Sequence, residues 1–146
     1  MSVSKKWNTF ICLMLVVLTV ISIIFISASA VTEDIEIPEA QNWTDEYSAG
    51  THKSGYSSAS AECNSVYPKG GGIDLFSTIQ CRAVNSSGTL IGVNGYEKLK
   101  EGEGPKEILL KQGMQGNISV CFQFRGNSSS GARAVVTYDA TYISDT

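Results

Sequence analysis

The chain has 146 residues, a formal net charge of −3, and 42% hydrophobic against 17% charged residues. Such a length allows one domain of ordinary size beyond an N-terminal signal. The acidic balance, with no basic stripe anywhere in the sequence, speaks against nucleic-acid binding, which needs Lys and Arg gathered along a phosphate backbone.

The first element is an export signal. Lys5 and Lys6 make a positive start, and residues 7–26 are apolar apart from Asn8, Thr9, Thr19 and Ser22. The small residues Ala28 and Ala30 then fit the narrow site of a signal peptidase, so residues 1–30 read as a signal peptide cut after Ala30. The apolar run approaches the roughly 20 residues that span a bilayer. An uncleaved helix holding the domain at the outer face is therefore the alternative. No second run of this kind follows, so after cleavage no membrane partner is expected.

Residues 31–50 form an acidic leader, with Glu33, Asp34, Glu36, Glu39, Asp45 and Glu46 and no base. Val31, Glu33, Ile35 and Ile37 alternate briefly with Thr32, Asp34 and Glu36 until Pro38 intervenes. The composition suits a flexible, solvated arm, and the short alternation suits a strand that docks elsewhere. A strand here could add to the edge of a neighbouring subunit, which makes self-association a candidate.

From Thr51 the texture changes to polar–apolar alternation cut by turn clusters. Ala59, Ala61 and Cys63 share one face, opposite Ser58, Ser60, Glu62 and Asn64. After the Pro68–Gly72 break, Ile73, Leu75, Ile79, Cys81 and Ala83 face inward, opposite Asp74, Thr78, Gln80 and Arg82. Asn85-Ser86-Ser87-Gly88 is a hairpin signal leading to a short strand at residues 89–93. Residues 94–107 are rich in Gly and charge, which excludes a long helix, and Ile108, Leu109 and Leu110 make a short apolar run.

The clearest pattern comes last. Ile118, Val120, Phe122 and Phe124 alternate with Ser119, Cys121, Gln123 and Arg125; after a turn at residues 127–131, Ala132, Ala134, Val136, Tyr138, Ala140 and Tyr142 alternate with Arg133, Val135, Thr137, Asp139 and Thr141. This reads as a long hairpin with one dry and one wet face. Six or seven short strands with no amphipathic helix give an all-β fold over residues 51–146: an antiparallel β-sandwich, Ig-like or related, with a small barrel second. The Cys…Trp…Cys spacing of true immunoglobulin domains is absent, since Trp43 lies outside the strands.

Cys63, Cys81 and Cys121 remain after the signal peptide, in a compartment where disulfides persist. Strand phase puts Cys63 and Cys81 on apolar faces and Cys121 on a polar one. A Cys63–Cys81 bridge is the first expectation, and Cys81–Cys121 the alternative. No cysteine spacing suits zinc or a redox pair.

Catalytic chemistry finds no foothold. His52, the only histidine, sits in a polar, turn-like segment that reads as exposed, and a Ser/His/Asp or Cys/His set would depend on it. Carboxylate pairs such as Asp34/Glu36 and Glu101/Glu103 lack an apolar wall to raise a pKa. No catalytic, cofactor-binding or metal-ligating residue is assigned, and no cofactor is expected. Asn42, Asn85, Asn117 and Asn127 begin N-x-[ST] sequons, whose use depends on the host.

The expectation is a secreted, extracellular or cell-surface protein that is not an enzyme. Its role would be binding or structural: an envelope or matrix component, or an adhesin-like domain contacting another protein or a cell-surface component. The alternative is a secreted toxin, bacteriocin-like effector or inhibitor whose acidic leader is a pro-segment. A small secreted hydrolase built on His52 is third.

Overall fold

The computed structural model describes residues 30–70, 76–126 and 129–143. The expected signal peptide, apart from Ala30, lies outside them, Ala28 included; Ala30 opens the described chain and is exposed. Regular structure among the described residues is entirely β: β1 (Val31–Ile37), β2 (Tyr47–Thr51), β3 (Ser58–Pro68), β4 (Thr78–Val84), β5 (Glu97–Lys100), β6 (Lys106–Leu109), β7 (Ser119–Gly126) and β8 (Ala132–Asp139).

The strands form two antiparallel four-stranded sheets packed face to face, in the orders β1-β8-β3-β6 and β2-β7-β4-β5. Four of the pairings nest: β1 with β8, β2 with β7, β3 with β6, β4 with β5. The chain is thus one long hairpin, with its tip at β4–β5, rolled so that successive pairs fall in opposite sheets. That is the strand order of a jelly roll. It replaces the Ig-like expectation of six or seven strands with eight, in a different order.

Binary patterning explains the dry interior. Phe122 and Phe124 on β7 and Tyr138 on β8 are fully buried where the sheets meet. Their rings, with Tyr47 of β2, are spaced 5.6–6.5 Å between centroids, within the range of favourable tilted and offset contacts. Burying one such side chain contributes about 1.5–3 kcal/mol. The Tyr138 hydroxyl has no hydrogen-bond partner among the described residues. Loss of water and the nearby Glu33 carboxylate push that phenol well above the usual tyrosine range.

Three readings of the sequence are revised. The acidic leader contains strands: β1 pairs with β8 over its whole length, with Ile35 and Ile37 in the core and Thr32, Asp34 and Glu36 outward. The strand addition that the sequence offered to a neighbouring subunit is made within the chain. Secondly, β7 and β8 are not a hairpin. Their alternation gave the correct facing, but facing does not name a partner, and the two strands lie in different sheets. Thirdly, the glycine- and charge-rich stretch at 94–107 holds β5 and the start of β6, whereas residues 89–93 make only isolated bridges at Leu90 and Gly92. The turn signal before them is real: the Asn85 side-chain oxygen accepts from the Ser87 and Thr89 amides, and Gly88 adopts φ +74°, which suits glycine.

Cys63 and Cys81 face the shared core from opposing sheets, as strand phase suggested, but neither they nor Cys121 form a disulfide in the structure; all three are buried thiols. Burial, with Glu101 and Glu62 adding, pushes Cys63 up to about 12; burial also raises Cys81 and Cys121.

Candidate functional site

β4 and β7 are central neighbours in the β2-β7-β4-β5 sheet, and their register sets Gln80 beside Arg125 and Arg82 beside Gln123. All four side chains lie on the outer face, because Ile79, Cys81, Ala83, Phe122 and Phe124 take the inner one. The result is a chequer of two amides and two guanidiniums. Arg82 Nε donates to Gln123 Oε1 at 2.8 Å, and Arg125 Nε donates to Gln80 Oε1 at 2.6 Å. Gln123 Nε2 in turn donates to Glu46 Oε1 at 3.1 Å. Both amides are only 8% exposed, so the guanidiniums are held by buried groups of fixed geometry.

Trp43 completes the cluster. The neighbouring Thr44 docks on β7 in both directions: its amide donates to the Phe124 carbonyl at 2.9 Å, and its Oγ1 accepts from the Phe124 amide at 3.0 Å. This anchors the segment between β1 and β2 against the sheet and lays the Trp43 ring at the arginines. The guanidinium carbons of Arg82 and Arg125 stand 4.3 and 4.4 Å from its centroid, and that of Arg125 is 5.1 Å from the Tyr96 ring. Guanidinium planes stack well on aromatic faces. Trp43 is half-buried and Tyr96 is 42% exposed, so aromatic surface remains open to solvent. Lys98, exposed on β5, lies opposite Gln80.

Electrostatically the face is positive. Arg82, Arg125 and Lys98 are set against one carboxylate, Glu46. Partial burial and the adjacent Arg125 charge depress the proton affinity of Arg82, and Glu46 offsets part of that. Each arginine donates through Nε to an amide oxygen. The terminal nitrogens of a guanidinium are the donors that grip an oxyanion in bidentate fashion.

The remaining candidates fall elsewhere. His52 is fully buried, contrary to the exposed position that its polar neighbours suggested. Its Nδ1 lies 2.6 Å from the Ala140 carbonyl oxygen and its Nε2 3.1 Å from that of Tyr56, so the ring ties the start of the β2–β3 connection to the chain after β8. Asp34 and Glu36, outward on β1, pair with Arg133 at 2.6 Å and Lys69 at 2.9 Å; Glu103 pairs with Lys100 at 3.3 Å. Glu36 is held below the usual carboxylate range by its hydrogen bond and attraction to Lys69. Among the described residues no three His, Cys, Asp or Glu gather as a metal site would require. Of the sequon asparagines, Asn85 caps its own turn and Asn117 Oδ1 accepts from the Ser54 amide; Asn127 lies outside the described residues. Tyr142 falls beyond β8 and is half-buried rather than in the core.

Strand phase placed Gln80, Arg82, Gln123 and Arg125 on wet faces, but nothing in it brought them together. One signal was present: Gln80-Cys81-Arg82 and Gln123-Phe124-Arg125 are the same Gln-x-Arg motif on two strands. Placed antiparallel in this register, each glutamine meets the other strand's arginine. No protein-family model matches the chain, and no curated protein or solved structure matches it significantly.

Proposed function

We propose that this chain is an exported, non-enzymatic binding domain of the extracellular space or cell surface, and that it works through the outer face of the β2-β7-β4-β5 sheet. The observation that carries the reading is the built cluster there: two arginines fixed by buried glutamines and set against Trp43. Export rests on the basic start, the apolar run and the Ala28/Ala30 cleavage pattern. The full burial of His52 beside the carbonyls of Ala140 and Tyr56 weighs against the hydrolase reading. The pro-segment form of the toxin reading is disfavoured as well: removing residues 31–50 would strip β1 and most of β2 from the sandwich.

The test is retention of purified, labelled protein on the surface of the cells that make it, paired with mass spectrometry of its N-terminus. The reading expects a chain beginning at Val31. It expects binding that is lost in Trp43→Ala and kept in Asp34→Asn on the opposite face. Equal retention of both variants would overturn it.

A further inference from the structure

We infer that the ligand of this face is an acidic polysaccharide carrying uronate carboxylates, an assignment that rests on the reading of this face as the binding surface. Three features of the cluster select that chemistry. The first is charge. Arg82, Arg125 and Lys98 outnumber Glu46 on a chain whose formal charge is −3, so the face is a local positive patch on an acidic protein. The two guanidiniums share one aromatic ring, and a carboxylate relieves the repulsion between them while accepting from their planar forks.

The second is the aromatic surface beside the donors. Trp43 is half-buried and Tyr96 is 42% exposed. The negative face of such a ring packs against the slightly positive C–H face of a pyranose. Rings flanked by guanidiniums therefore fit a sugar and its carboxylate together.

The third is shape. The two arginines and two glutamines lie on the face of the central strands β4 and β7, so a peptide strand added at the β5 edge would not cover them.

The experiment is calorimetric titration of the purified protein with three polymers: polygalacturonate, dextran sulfate and neutral dextran. The inference expects polygalacturonate to bind best, dextran not to bind, and added salt to weaken the interaction. Arg82→Gln and Arg125→Gln should each lower the affinity about tenfold or more, the scale of a lost charged hydrogen bond. Lys98→Gln, exposed and outside the buried amide network, should lower it several-fold without touching the fold. Arg133→Gln, on the opposite sheet, should change nothing.

Tighter binding to dextran sulfate would reassign the anion to sulfate and overturn the uronate claim. Equal binding of dextran, lost in Trp43→Ala but kept in Arg82→Gln and Lys98→Gln, would overturn the anionic ligand while leaving the binding face in place. Equal weakening by Arg133→Gln would overturn both. No binding to any of the three polymers would overturn the polysaccharide assignment, and the cell-surface comparison of Trp43→Ala with Asp34→Asn would then decide separately whether the face binds.

Discussion

The two outer faces of this sandwich are built from the same kind of strand and handle charge in opposite ways. On the β1-β8-β3-β6 sheet, Asp34 pairs with Arg133 and Glu36 with Lys69, both pairs well exposed. A hydroxyl–amide ladder runs beside them, with Thr32 bonded to Thr137 and Thr137 Oγ1 donating to Asn64 Oδ1. On the β2-β7-β4-β5 sheet, the arginines are instead matched with neutral amides and an indole. Exposed ion pairs contribute little to stability and leave no net charge behind. An arginine held by a glutamine keeps its full charge and is fixed in orientation. The first arrangement suits a surface facing water, and the second a surface waiting for an anion.

The comparison can be tested from its largest expected effect downwards. Both faces rest on one core, so Phe122→Ala should cost about 3–5 kcal/mol, and thermal unfolding followed by near-ultraviolet circular dichroism should still show one transition. Separate transitions for the two sheets would break the picture of a single core. Arg82→Gln removes the donor to the buried Gln123 amide and the stack on Trp43; a loss of about 1–2 kcal/mol in urea denaturation is expected. Arg133→Gln on the other face should cost no more than about 0.5–1 kcal/mol, since its partner Asp34 is exposed. A larger loss for Arg133→Gln than for Arg82→Gln would reverse the contrast.

Alkali is the gentlest probe. An ordinary thiol ionises near 9 and the folded Cys63 thiol near 12, so the folded state keeps a proton that the unfolded chain gives up. The stabilisation is whole below about pH 9 and is lost as the pH rises towards 12. Melting temperature measured across that window should fall with pH. The unfolded, unreduced chain from residue 31 onward should take up three alkyl groups, where a Cys63–Cys81 bridge would leave one.

Much of the fold was legible because alternation reports burial directly. Phe122, Phe124, Val136 and Tyr138 were placed inward from period two alone, and they are the fully buried heart of the structure. What alternation does not carry is partnership. β7 and β8 read as a hairpin because they are adjacent in the chain and both amphipathic, yet each pairs with an earlier strand, β2 and β1. The acidic residues of β1 hid a strand for a related reason: at the edge of a sheet only Ile35 and Ile37 need be apolar, and the outward positions are free to carry charge. His52 misled because its sequence neighbours are polar, while its surroundings in space are the chain after β8. The arginine–tryptophan cluster is the extreme case. Trp43, Arg82 and Arg125 come from three separate segments, and only the rolled topology brings them to one face.

The most direct measurement is an NMR titration with polygalacturonate that follows the Nε–H signals of Arg82, Arg125 and Arg133 and the indole N–H of Trp43. Binding at the proposed face should shift Arg82, Arg125 and Trp43 together while Arg133 stays in place. Shifts at Arg133 with the other three unmoved would contradict it.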